Sequence, residues 1–140
     1  MTVALEPVGD ADLAYVLAVL READLPSAGI GDDAVRLFLA EADGARVGVG
    51  GFEDYGETGL LRSIAIEPGV RDQGYGTALV DAVEAEARAS GIETLVLLTT
   101  DAGPFFETLG YTPADWSSVP ESSALSAVCP DSATCLSKRL

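Results

Sequence analysis

The stretch Ile64-Ala65-Ile66-Glu67-Pro68-Gly69-Val70-Arg71-Asp72-Gln73-Gly74-Tyr75-Gly76-Thr77-Ala78-Leu79 passes from an apolar, partly β-branched run into a helical pattern through a glycine-containing turn. The run from Leu60 to Ile66 reads as a strand near the centre of a sheet, and Pro68 stops it. Gly74 to Ser90 spaces Ala78, Leu79, Ala82, Val83 and Ala87 as one buried stripe. That leaves Asp81, Glu84, Glu86 and Arg88 for solvent, and Gly91 closes the helix. Gly74 and Gly76 stand at the helix entrance. Without a β-carbon the backbone can approach a pyrophosphate closely, and the free N–H groups and positive dipole end of the helix favour an anion. Two glycines in such a turn are often only steric. The pair also lacks the spacing G-x-G-x-x-G of a dinucleotide fold and the Lys-Ser/Thr of a P-loop, which disfavours both nucleotide readings.

Outward from this segment, Thr94 to Leu98 is a short apolar strand, so strand, turn, helix and strand make a βαβ unit with two parallel strands. Gly103 to Leu109 predicts a short helix closed by Gly110. Toward the N-terminus, Thr2 to Val8 reads as a strand and Asp10 as the cap of a helix bearing Leu13, Val16, Leu17 and Leu20. Val35 to Ala40 and Arg46 to Phe52 read as a hairpin about Asp43-Gly44. Pro120 to Val128 is read as helical and Thr134 to Leu140 as a last strand. No repeat, linker or low-complexity tract is present, and 140 residues suit a single domain spanning 1–140.

The charge balance restricts the partners. Asp and Glu number 23 against 8 Lys and Arg, for a formal charge of -15, and the cations are scattered from Arg21 to Arg139 with Lys138 the only lysine. Nucleic acid binding needs a basic stripe that this chain lacks. Scarce lysine and excess acid point to a halophile's cytoplasmic protein, the plainer reading being a solvated acidic surface on a mesophilic one. No apolar run approaches the roughly 20 residues of a membrane span, and the N-terminus has no export signal, so membrane association is not expected. Histidine is absent, which removes the commonest general base, and Cys129 and Cys135 lack the spacing of a zinc site. No metal is expected.

The quoted stretch resembles the acetyl-CoA-binding motif of the GNAT N-acetyltransferase superfamily, Arg/Gln-x-x-Gly-x-Gly/Ala, at Arg71-Asp72-Gln73-Gly74-Tyr75-Gly76. Ala102-Gly103-Pro104-Phe105-Phe106-Glu107-Thr108-Leu109-Gly110-Tyr111 is similar to the family's later segment, a short helix ending in Leu-Gly-Phe/Tyr. The resemblance covers Leu60 to Tyr111. It implies an α/β fold, a mixed central sheet flanked by helices in which two parallel strands splay apart, with acetyl-CoA as co-substrate. Ile64, Ala65 and Ile66 would offer the pantetheine arm backbone contacts; Arg71, Gln73, Gly74, Tyr75, Gly76 and Thr77 would surround the pyrophosphate; Phe105 and Phe106 would pack on the distal part. Asp72 departs from the glycine frequent in the family and puts the loop contact there in doubt.

Acyl transfer to an amine needs a route for the ammonium proton and a donor for the thiolate. Where many relatives carry a glutamate and a tyrosine, this chain has Leu60 and Phe106. Three routes stay open: Glu53 or Asp54 as base through water, Tyr111 or another phenol as acid, or positioning of a neutral amine alone. Glu53 also reads as a solvated strand end, and Tyr111 as a packing residue. Strand alternation places Arg62 on the face of Leu60, Ile64 and Ile66. There it would either clamp a substrate carboxylate or form a structural ion pair.

Leu61-Arg62-Ser63, Leu98-Thr99-Thr100, the Phe-Phe pair and Val128-Cys129-Pro130 before Cys135 look like the small GNAT proteins associated with arsenic resistance. That broader group is thought to acetylate amino-acid analogues containing arsenic or phosphorus. Two thiolates could instead bind trivalent arsenic, or be inert buried thiols. The expected protein is thus an N-acetyltransferase acting on the primary amine of a small, amino-acid-like substrate, as monomer or homodimer. Its rivals are a non-catalytic acyl-CoA- or metalloid-binding sensor and a protein N-acetyltransferase.

Overall fold

Along Leu37-Phe38-Leu39-Ala40 every side chain is apolar, and alternation divides them between two faces, each of which needs a cover. A computed structural model, describing residues 2–140, shows both covers. Strands β1 (Ala4–Pro7), β2 (Val35–Ala42), β3 (Ala45–Asp54), β4 (Thr58–Ile66), β5 (Thr94–Thr99), β6 (Thr112–Pro113) and β7 (Thr134–Arg139) form one sheet in the order β1-β2-β3-β4-β5-β7-β6. Among the described residues only β4 and β5 pair in parallel. Helices are α1 (Leu13–Glu22), α2 (Tyr75–Ala89) and α3 (Gly103–Thr108). The mixed α/β architecture is the one expected. Both edge strands carry a proline, Pro7 and Pro113, which discourages further pairing.

On one face Phe38, Ala40, Phe52 and Leu61 pack under Leu79, Val83 and Ala87 of α2 and Phe106 of α3. On the other, Leu37, Leu39, Val49 and Ala65 meet Val16, Val19 and Leu20 of α1. Farther along that second face, Leu60, Val96 and Cys135 are covered by Leu125 from the β6–β7 connection. The helix α2 lies close to β3 because Gly50 has no side chain: a β-carbon there would stand 2.9 Å from Ile64 Cδ1 and 3.1 Å from Leu79 Cδ1. The β2–β3 turn at Asp43-Gly44 has positive φ at both residues, 52° and 80°, as a tight hairpin of this hand requires.

Several expected details differ. Asp10 does not cap α1; Asp10–Asp12 form a 3-10 turn, and the Asp12 carboxylate accepts the Gly9 N–H at 2.9 Å. Leu17 is exposed rather than part of the buried stripe. The buried stripe of α2 is Leu79, Val80, Val83, Glu84 and Ala87, so Glu84 turns inward instead of to solvent. It is tolerated because Tyr111 OH donates to it at 2.8 Å and Lys138 Nζ at 3.0 Å. Pro120 to Val128 forms successive turns, not a helix.

Candidate functional site

The site begins with one extra residue in β4. Val49 pairs with Ala65 and Gly51 with Arg62, so Ser63 and Ile64 together oppose Gly50, and Ser63 takes φ 58°. Such a bulge turns the following side chains over. Alternation therefore fails at this point: Arg62 lies with Leu60 on the α1 face, whereas Ile64 and Ile66 pack on the α2 face. The expectation that Arg62 shares a face with both isoleucines is corrected by the bulge.

The second element is a parting of strands. Parallel pairing of β4 with β5 covers only Thr58–Thr94, Gly59–Leu95 and Leu60–Val96. Beyond it β4 continues on β3 and β5 continues on β7, so the two strands turn unpaired edges toward each other. A cavity of about 170 Å³ fills the gap, lined by Leu61 to Ile64 of β4, Leu97 to Thr99 of β5, Phe105 and Phe106 of α3, and Leu125 and Cys129 of the β6–β7 connection. Residues from both faces line it, so the sheet is perforated there.

On the α2 face the gap opens into a cavity of about 320 Å³ bounded by Ile64, Ile66, Arg71, Gly74, Tyr75, Gly76, Thr77 and Phe105. Ile64 and Phe105 line both spaces and form the neck between them. Gly74 enters α2 with φ 89°, a conformation that favours glycine. Helical bonding starts with Ala78 N–H to Gly74 C=O at 3.3 Å, so the amides of residues 75–77 precede the ladder and remain available to an anion. Arg71 folds back, its Nε donating to Ile66 C=O at 3.0 Å. Gln73 is exposed and lies outside this lining, and Ala65, its side chain buried on the opposite face, lines neither space. Phe105 and Phe106 meet edge to face with centroids 5.1 Å apart.

On the α1 face the gap opens into a larger hollow of about 510 Å³. Leu25, Pro26, Leu98, Thr99, Asp101 and Cys129 are common to both, and Arg21, Asp24 and Val128 form the outer wall. The sequence singles out Leu98, Thr99, Val128 and Cys129 but gives Arg21, Asp24, Leu25 and Asp101 no part in a site, although Asp101 follows closely on the strand end that must border a splay. Arg62 reaches the gap from beneath. Its Nη1 donates to Glu53 Oε2 at 2.8 Å and its Nε to Ser63 Oγ at 3.0 Å, while its Nη2 is buried with no partner among the described residues. Glu53 is fully buried, with Leu125 N–H at 3.1 Å on Oε2 and Tyr55 OH at 2.6 Å on Oε1.

None of Glu53, Asp54 and Tyr111, the residues expected to move protons, lines the gap. Glu53 is neither solvated nor free, since Arg62, Leu125 and Tyr55 hold its carboxylate, and it lines none of these cavities. Tyr111 is buried against Glu84, and burial first, then that charge and hydrogen bond, push its phenol far up. Cys129 and Cys135 share an apolar cluster; burial pushes both thiols up, with Arg62 opposing the rise at Cys129. Among the described residues no group of three or more His, Cys, Asp or Glu side chains could hold a metal ion, and no helix is long and apolar enough to cross a membrane.

A family described as acetyltransferase (GNAT) domain matches residues 33–113, more than half of the chain. The chain belongs to this family. Within the GNAT family it is similar to the amino-acid acetyltransferase of Enterobacter sp. (strain 638), 38% identical over 64 residues that make up 46% of this chain and 14% of that protein. The solved N-acetylglutamate synthase from Neisseria gonorrhoeae, complexed with coenzyme A and L-arginine, superposes with a TM-score of 0.83 at 23% identity over 99% of this chain and 33% of that one. A GNAT family acetyltransferase from Elizabethkingia anophelis with acetyl-CoA bound gives 0.72 at 15% identity, covering 99% of both chains. The chain thus spans a small part of the curated relative and about a third of the gonococcal protein.

Proposed function

We propose that this GNAT chain transfers the acetyl group of acetyl-CoA to the α-amine of an amino acid whose carboxylate rests on Arg62. The observation that carries the reading is the unmet Arg62 Nη2, a buried donor at the gap between β4 and β5. Leaving such a group unsatisfied costs about 1–3 kcal/mol, which an arriving carboxylate would recover through a charge-assisted bond. Kinship with amino-acid acetyltransferases and a fold shared with CoA-bound structures support it.

Acetyl-CoA supplies an activated thioester; the chain's own residues supply its bed. Free amides of 75–77 and the α2 dipole would hold the phosphates, with Gly74 and Gly76 keeping the approach open. The unpaired edge of β4 offers N–H and C=O groups to the amides of the pantetheine arm, as an added strand would. Phe105 and Ile64 form the neck to the gap, and the acceptor enters from the α1 face. With Glu53 and Tyr111 outside the lining of the gap, orientation of a neutral amine carries the rate. Solvent at the open mouth takes the ammonium proton before attack. The N–C bond then forms as the C–S bond breaks, and the proton shed by the acylated nitrogen leaves on the CoA thiolate as free thiol.

We also keep as proposals a cytoplasmic, salt-adapted protein, monomeric or homodimeric, and the narrower kinship with arsenic-resistance GNAT proteins, supported by the sequence around Cys129 and Cys135. The test is release of free thiol from acetyl-CoA with a panel of amino acids and their arsenic and phosphorus analogues. Turnover is expected, and Arg62→Lys should raise the acceptor KM about tenfold or more while acetyl-CoA affinity stays within about twofold. Equal losses for both ligands would remove Arg62 from the acceptor site. Binding of acetyl-CoA without thiol release would favour the sensor module.

A further inference from the structure

Resting on the reading of the gap as an amino-acid site, the charges along the acceptor's path narrow its substrate. Nη2 is the Arg62 nitrogen left without a partner, since Nε is engaged by Ser63 and Nη1 by Glu53. One carboxylate can therefore be met there. The guanidinium charge is matched at 2.8 Å by the Glu53 carboxylate, both side chains being fully buried, so the pair offers no surplus positive field to a second anion. Farther out, the wall of the α1-face hollow carries Arg21 against Asp24 and Asp101, and Asp101 also borders the gap itself. With the Arg62 charge cancelled by Glu53 beneath the lining, the route itself carries Arg21 against Asp24 and Asp101. The remaining wall is mostly apolar, with Leu25, Pro26 and Leu98 shared by both spaces and Thr99 a hydroxyl among them.

We infer that the acceptor is an α-amino acid whose side chain carries no negative charge. Such a zwitterion enters with no net charge, sets its single carboxylate on Arg62 Nη2, and lays its side chain on apolar wall. A glutamate would bring a second carboxylate to a wall on which Arg21 stands against both Asp24 and Asp101, so the net charge it meets is repulsive. The chain's formal charge of -15 adds a long-range penalty at low salt, whereas the short-range one persists in molar salt, where screening acts over about 3 Å. The selection differs from the product named for the gonococcal neighbour. Among arsenic and phosphorus analogues, the same rule favours those whose heteroatom group is uncharged at the assay pH.

The test uses nearly isosteric pairs, so that charge alone varies: glutamine against glutamate and asparagine against aspartate, with leucine added, in acetyl-CoA thiol-release assays in molar KCl. The uncharged acceptors are expected to exceed the acids by at least about tenfold in kcat/KM. Asp101→Asn should narrow that ratio several-fold by admitting the acids. Acids turned over as well as or better than their amides would overturn the inference and leave the amino-acid reading standing. Thiol release with no α-amino acid at all would overturn that reading and this inference together.

Discussion

Glu53 and Arg62 lie diagonally across the β3–β4 ladder, and Oε2 of one meets Nη1 of the other at 2.8 Å with both side chains fully buried. Glu53 also accepts from Leu125 and Tyr55, so one carboxylate ties the gap, the β6–β7 connection and the β3–β4 turn together. Glu53→Ala should cost about 3–5 kcal/mol in urea unfolding, because it strands a buried guanidinium. The double replacement Glu53→Leu with Arg62→Met should regain most of that loss yet bind the acceptor poorly. A single-variant loss below about 1 kcal/mol would mean that water reaches the pair.

Gly76 lies against Phe105 at the neck between the α2-face cavity and the gap. A β-carbon there would sit 3.4 Å from Phe105 Cζ, so the methyl groups of Gly76→Val must crowd the ring or fill the channel. Calorimetric affinity for acetyl-CoA should fall at least about tenfold, with thermal stability changed little because the position borders a cavity. Unchanged affinity in a folded variant would move the cofactor elsewhere.

The helix entrance at Gly74 and the short helix with its Phe pair were legible because each depends on local sequence: a turn that favours glycine, then a helical stripe. What escaped depends on contacts distant in sequence. The burial of Glu84 is set by Lys138 and Tyr111, 54 and 27 residues away, and no local pattern shows them. The face of Arg62 hinges on the bulge at Ser63, where a residue other than glycine takes positive φ and carries no sequence signal for it. Glu53 read as a strand end open to water because its cover, Leu125, comes from a segment read as a helix and built as turns.

The excess of acid predicts a salt requirement. At a formal charge of -15 with one lysine, mutual repulsion acts over about 10 Å in 0.1 M salt and about 3 Å at 1 M. The melting temperature should climb by several degrees as KCl is raised through that range, and sodium sulfate should not be needed to obtain the gain. A flat or falling curve would assign the charge to solubility alone.

Alkaline pH should unfold the chain for a reason visible at its phenols. Burial, with Glu67 adding to it, pushes Tyr15 from 10.0 up to about 12, and burial with the Glu53 hydrogen bond does the same at Tyr55. Tyr111 is raised further still, by burial and then Glu84. Each phenol therefore keeps its proton in the folded chain at a pH where the unfolded chain has released it. The folded state binds more protons in that window, so stability is intact below about pH 10 and falls as pH rises toward about 12. Melting temperature measured between pH 8 and 12 should decline steeply only above about 10, in step with phenolate absorbance. Tyr55→Phe should soften the decline, since it removes one of the protons held; a decline beginning near neutrality would point instead to carboxylates or thiols.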